Sequence, residues 1–303
     1  MNRYVIYTVL TGAYEDILQP LLIDNRFDYV LFSNDFKEKE IGVWQIRPIP
    51  PVVDINDNKR LSRYPKSHPK TMLSEYAASL YIDANIQIAD KWVYDRIIAL
   101  VDLGVEHAGI KLLLTGRDDI YRHAYDMCAM RTEHDMNAIR QCHALYKLGF
   151  PEHFGLNENN VIFRLHTELM KKVDEEWWWW ITNYSYRDQF SYMYCLWKHQ
   201  IPRKYFLPEG LDAHNNSYFV FTHHNANKTV NARKWVRTGF FETRRNNNRN
   251  RSKELYDRYC NQWVAICKMP FCQSVLFLWG LAVDFKNVFT IFFPRMLNQL
   301  RHL

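Results

Sequence analysis

The amino-acid sequence predicts an α/β fold, a mixed sheet flanked by helices in one large domain, followed by a basic, apolar C-terminal helical tail. Three observations carry this reading. Two β-branched and aromatic runs, Tyr4 to Leu10 and Tyr29 to Ser33, are separated by room for one short helix, the spacing of a βαβ unit. A further apolar run, Ser79 to Ile82, ends on Asp83 directly after a long polar stretch. The 303 residues are 48% hydrophobic and 24% charged, enough to bury a large core, which excludes a disordered chain, a collagen-like rod and a disulfide miniprotein.

Taken in order, the first strand breaks at Thr11-Gly12-Ala13, a tight-turn sequence, and Tyr14 to Leu22 reads as a short helix despite Pro20. Trp44 to Pro69 is rich in Pro, Arg, Lys, Asp and Asn and reads as one long functional loop ending in RLSRYPKSHPK. Next, MLSEYAASLYI reads as a helix running into the strand Ser79 to Ile82. An acidic residue at the end of a buried strand is where open α/β sheets collect ligands. Lys91 to Leu103 and Asp118 to Leu148 read as helices, Val161 to Leu165 as a strand, the aromatic run from Glu175 to Trp197 as helical, and Tyr218 to Thr222 as a last strand. Four consecutive indoles, Trp177 to Trp180, cover more than half of a helical circumference, so at least one must leave the core.

The charge is divided along the chain. Residues 226–303 hold 14 Lys and Arg against 4 Asp and Glu, whereas the chain as a whole carries only +6. This predicts a body over 1–225, an Asn/Arg-rich linker over 226–262 and a basic amphipathic helical tail over 263–303. The apolar run Val275 to Val283 has nine residues, too few for a span, and suits a helix lying on an anionic leaflet or packing back on the body. The N-terminus lacks a signal-peptide cleavage pattern, so the expected location is cytoplasmic, peripheral on the inner membrane face, with no nucleic-acid partner. Six cysteines without a CxxC are expected to be reduced packing thiols.

Taken together, YTVLTGAYEDI, FDYVLFSND, RLSRYPKSHPK, SLYIDANIQI, GLNENNVIFRLHT and RDQFSYMYCLW resemble a family of bacterial and plant glycosyltransferase-like proteins long catalogued as a domain of unknown function. The family is related to the GT-A nucleotide-sugar transferases, and many bacterial members look like capsule or lipopolysaccharide enzymes. The resemblance implies a GT-A-like fold over roughly residues 3 to 225, a nucleotide-sugar donor, of which a UDP-sugar is the first expectation, and a glycan or lipid-linked acceptor. It also implies a divalent cation, Mn²⁺ or Mg²⁺, on the diphosphate. The triplet that corresponds to the family's Asp-x-Asp is Asp83-Ala84-Asn85, with one carboxylate where two are usual, a weaker set for a hard cation. His223 is a candidate third metal ligand.

By the same resemblance Thr8, Thr11, Gly12 and Tyr14 lie where base and ribose would be cradled. Arg60, Arg63 and Lys66 are placed for the phosphates, to which Arg is geometrically suited. Asp188 and Gln189 are candidates for contact with the donor sugar, Asp188 also for general base, and Glu158 for the acceptor. A non-catalytic carbohydrate- or lipid-binding protein on a degenerate transferase fold is the alternative favoured by Asn85. A lipid-acting hydrolase, suggested by a plant relative, has neither a GxSxG nor an HExxH sequence to support it.

Overall fold

The chain pairs its first strand, β1 (Tyr4–Val9), in parallel with β2 (Phe27–Phe32) on one side and β5 (Ala78–Ile82) on the other. In this computed structural model the described residues are 3–12, 16–53, 56–113, 118–129, 133, 135–222 and 253–270. Outside β2 lie β4 (Trp44–Arg47), also parallel, and the short antiparallel β3 (Glu40–Ile41). Beyond β5 come β8 (Asn157–Leu165) and β7 (His107–Lys111), both in antiparallel pairings, which gives the order β3-β4-β2-β1-β5-β8-β7. A separate antiparallel pair is formed by β6 (Ile86–Ile88) and β9 (Phe219–Phe221).

The central strands are apolar on both faces because helices cover both faces. In β5 all five residues are buried, and in β1 five of six. The helices of this unit are α1 (Asn58–Ser67), α2 (Pro69–Met72), α3 (Trp92–Asp102), α6 (Glu168–Asn183) and α7 (Tyr192–Lys198). The expectation of a mixed, helix-flanked α/β sheet agrees with this architecture.

Three local expectations are corrected. The segment read as one loop over Trp44 to Pro69 contains β4 and α1. Asp57 caps α1 by accepting from the Arg60 main-chain N–H at 3.0 Å, and Leu61 and Pro65, four residues apart, face inward. Pro65 lies inside α1 at the cost of one intrahelical hydrogen bond, and the helix ends two residues later. No helix forms among residues 16–22; Pro20 leaves the chain extended, and the main-chain N–H groups of Leu21 and Leu22 donate to the carbonyl of Ile88. The sequence before β5 is turn rather than helix, with Tyr76 buried beside it.

The chain divides into two compact units, one of Met1–Asp119 with His153–Asn231, the other of Ile120–Glu152 with Ala232–Leu303. The described part of the second unit consists of α4 (Ile120–Ala129), α5 (Asp135–Lys147) and α8 (Lys253–Lys268). The single helix expected over Asp118 to Leu148 is therefore two. Buried Cys260, Trp263, Val264 and Cys267 follow the i, i+3, i+4, i+7 spacing of one helical stripe, and Trp263 meets Tyr125 edge-on at 6.1 Å. Helix α8 thus begins inside the segment expected to be linker and continues past residue 262. Among the described residues no helix is long and apolar enough to cross a membrane. Cys128, Cys142, Cys195, Cys260 and Cys267 are buried and none is in a disulfide.

Candidate functional site at the strand ends

Parallel strands β1 and β5 end side by side, and the turns leaving them form one edge of the sheet. Asp83 follows β5 directly, and its main-chain N–H donates to the carbonyl of Asn160 at 2.8 Å. Antiparallel β8 therefore begins, at Asn157 and Glu158, along the same edge. The last turn of α1 brings Arg63 and Lys66 to this place, because Lys66 lies one position beyond the inward-facing Pro65 and is itself buried.

At the centre is the Lys66 ammonium, its side chain 3% exposed. It lies 2.6 Å from Asp188 Oδ2 and 3.5 Å from Asp83 Oδ1, and 4.6 Å from the centroid of the Tyr81 ring. The Tyr81 hydroxyl donates to the same Asp83 oxygen at 2.6 Å, and Arg63 Nε reaches Asp188 Oδ2 at 3.3 Å. Burial alone would raise the Asp188 carboxyl, but Lys66 and Arg63 outweigh it and hold the group below the usual carboxylate range. A carboxylate so held is a weak base, which does not favour the expected role of Asp188 as proton acceptor. It fits better as the counter-ion that keeps two cations in place.

Glu158 behaves oppositely. Burial raises its carboxyl above the ordinary value, against the opposing pull of His214, 3.9 Å away, and of the hydrogen bond from Asn160 Nδ2 at 3.1 Å. That makes it the better general base of the two.

The other expected residues divide. Thr8 lines a cleft, open to solvent, with Leu10, Ile17, Trp44, Asp83 and Ala84, and its buried hydroxyl oxygen has no partner. Thr11 donates to the carbonyl of Asn58 at 3.0 Å, and Gly12 has φ +71°, with Asn58 Nδ2 only 2.5 Å from where a Cβ would stand. That turn is thus packed on the start of α1, where only glycine fits. Gln189 donates to the Asn157 carbonyl at 3.4 Å, tying its turn to β8.

Arg60 is not part of the site. Its guanidinium donates to the carbonyls of Ile181 and Tyr184 at 3.1 and 3.3 Å and pairs with Asp57 at 2.8 Å, so it satisfies the C-terminal end of α6. Tyr14 and His223 lie outside the described residues.

As a metal site the triplet fits poorly. Asp83 already accepts from Tyr81 and faces an ammonium, and the Asn85 amide N–H donates to the Thr222 carbonyl at 2.9 Å. Among the described residues, no grouping of three His, Cys, Asp or Glu ligand atoms includes Asp83. A hard dication seeks several oxygens, and Asp83 Oδ1 already faces both Lys66 and the Tyr81 hydroxyl.

Sequence reasoning missed Tyr7, Tyr81, Arg164 and Asp174, all buried at or behind the site. An arginine and an aspartate alternating with apolar residues gave no signal separating them from surface charge.

No family model and no curated protein matches the chain. Among solved structures, it is similar to core-mannan synthase A (CmsA/Ktr4) from Aspergillus fumigatus in its Mn/GDP form, at 8% identity and TM-score 0.39, over 65% of this chain and 70% of that one. It is also similar to the mannosyltransferase Ktr4p from S. cerevisiae, at 10% identity and TM-score 0.35, over 64% and 62%. Likenesses this distant carry no argument of their own, and the functional reading rests on the strand-end site.

Proposed function

We propose that the protein is a glycosyltransferase of GT-A-like fold that moves a sugar from a nucleoside-diphosphate donor to a glycan or lipid-linked acceptor. The observation that carries this is the Lys66 ammonium, buried at the ends of parallel strands and shared between Asp83 and Asp188, with Arg63 beside it. Buried cations at such an edge suit a diphosphate, and they suit it most as the bond from the sugar C1 to the diphosphate oxygen breaks and negative charge collects on the leaving group. The acceptor hydroxyl forms the new bond to C1, and Glu158 takes its proton.

The donor nucleotide is read as UDP or GDP, and the basic segment from residue 226 onward as a docking element for an anionic inner-leaflet surface in polysaccharide assembly. Thermal-shift titration with UDP and GDP tests the first part, since a ligand that binds only the folded state raises Tm. A rise with either nucleotide, followed by release of free sugar from the matching nucleotide-sugar, supports a transferase. Binding without release supports the non-catalytic carbohydrate-binding alternative, and no rise with either nucleotide overturns the reading. Repeating the titration with Mn²⁺ and with EDTA reads the contribution of a divalent cation, and the donor atoms at Asp83 predict a small difference. Salt-sensitive binding to anionic liposomes, lost on truncation after residue 225, tests the docking element.

A further inference from the structure

Behind the Lys66–Asp188 pair lies a buried network that would touch no substrate. Arg164, on β8, is wholly buried; its Nη1 pairs with Asp174 Oδ1 at 2.8 Å, and its Nη2 donates to the Tyr7 hydroxyl at 2.6 Å and to the main-chain carbonyl of Lys66. The Tyr7 hydroxyl is 3.3 Å from that same carbonyl, as a second donor. The guanidinium carbon lies 5.8 Å from the Trp177 ring centroid, and the Trp177 indole N–H donates to the main-chain carbonyl of Asp188 at 2.9 Å. One stack of side chains therefore grips the backbone of both members of the ion pair at the site.

We propose that Arg164, with Tyr7, Asp174 and Trp177, is a positioning device that fixes the main chain at Lys66 and Asp188 so that ammonium and carboxylate meet at the strand ends. A buried Arg–Asp pair is a poor way to gain stability, because desolvation offsets most of the attraction and apolar residues of equal volume serve as well. An apolar pair could not hold a chosen carbonyl. Arginine can, with several donors in a rigid fork, one prong on Asp174 and another on the tyrosine and the carbonyl. Lysine has a flexible four-carbon stem, so its head is placed only when its root is held and its walls are packed. Tyr81 supplies a wall and this network supplies the root.

The experiment uses the full chain and three variants, Tyr7→Phe, Trp177→Phe and Arg164→Lys. Lys66 is acylated with an amine-reactive ester, and its rate is read by peptide mass spectrometry against the exposed Lys91 in the same sample. Tyr7→Phe deletes the two hydrogen bonds of the hydroxyl and Trp177→Phe deletes one, and each keeps a ring, so both are expected to fold. Lys66 should acylate at least about threefold faster in each, relative to Lys91, and faster still in Arg164→Lys if that variant folds. Rates are compared at temperatures an equal interval below each variant's Tm, so that a merely structural role, which acts only through the population of opened states, leaves the ratio unchanged. Wild-type ratios in folded Tyr7→Phe and Trp177→Phe overturn the proposal.

A kinetic arm rests on the transferase reading: donor hydrolysis should lose kcat/KM by about tenfold, with donor binding weakened as well, because the displaced Lys66 ammonium is itself the proposed diphosphate contact. If the wild-type protein releases no sugar from any nucleotide-sugar, that reading fails, and the acylation ratio alone still decides the positioning role.

Discussion

The first unit carries two clusters of opposite charge that differ in almost every physical respect. On the surface, Arg26 bridges Asp24 at 2.6 Å and Asp95 at 2.8 Å, and Lys91 pairs with Asp95 at 2.7 Å. At the strand ends and behind them, Lys66, Arg63, Asp188, Arg164 and Asp174 pair at similar distances, with Lys66, Arg164 and Asp174 at most 3% exposed. Distance alone does not tell the clusters apart. Water does: the surface pairs are screened and pay side-chain entropy, while the buried ones had to be stripped of hydration. A chain that keeps charges where they are expensive has a use for them, and in this molecule that use lies where the parallel strands end.

The largest effect should come from Lys66→Met, which removes the buried cation and leaves Asp188 with Arg63 alone. Breaking one side of a buried ion pair costs on the order of 3 kcal/mol, so Tm should fall clearly, and donor hydrolysis should be lost even at temperatures where circular dichroism shows the variant folded. A folded Lys66→Met protein with normal turnover would remove the distinction between the clusters. Next in size is a split between the two carboxylates. Glu158→Gln should lower transfer by roughly a hundredfold with donor affinity nearly unchanged, as loss of a general base does. Asp188→Asn should instead weaken donor binding and stability together, since it loosens Lys66 and Arg63. If Asp188→Asn spared both while abolishing turnover, the roles assigned to the two groups would have to be exchanged.

Acid should act on the interior rather than the surface. Burial pushes His68 and His166 down to about 4 and His107 down to about 3. Each therefore binds a proton more readily in the unfolded chain, whose imidazoles titrate near 6.5. Their contribution to stability is complete above pH 6.5 and is lost as pH falls from there through about 4. Asp174 acts the other way, because burial raises its carboxyl to about 7 and its cost to the fold is relieved as pH falls through that value. With three imidazoles against one carboxyl, Tm should still be lower at pH 5 than at pH 7, by on the order of five degrees. A Tm that stays level between pH 7 and 5 would show that these rings are hydrated.

How much of this was legible in the sequence depended on how local the signal was. The strands β1 and β2, Asp83 at a strand end, and Lys66 with Arg63 were readable because apolar runs and polar interruptions sit next to one another in the chain. The Trp177 to Trp180 run was also readable: Trp177 and Trp180 are buried, and Trp179 is half exposed on the far side of α6. What joins distant positions was not readable. Arg60 and Lys66 look alike in RLSRYPKSHPK, but two thirds of a helical turn beyond one full turn sends the first to the end of α6 and the second to Asp188. Arg164 and Asp174 gave no sign that they meet Tyr7 and the Lys66 carbonyl. The stripe Cys260, Trp263, Val264 and Cys267 has regular spacing, yet the charged residues ahead of it masked the start of α8.

The smallest expected effect sharpens the comparison most, because it is a near-null with a physical reason. Arg26→Ala removes a cation that contacts two carboxylates, as many as Lys66 does, and a count of ion pairs would rank the two alike. Its side chain is 45% exposed, however, and that of Asp95 is 47% exposed, so water replaces the lost contacts at little cost. Asp24 keeps the main-chain N–H of residue 26, which donates at 2.9 Å and survives truncation to alanine. Asp95 keeps Lys91. Differential scanning calorimetry of Arg26→Ala should therefore show a Tm within about two degrees of wild type, and raising the salt concentration should shrink even that difference. A drop as large as that of Lys66→Met would mean that the surface cluster bears on stability as the buried one does, and that burial of charge does not single out the strand-end site.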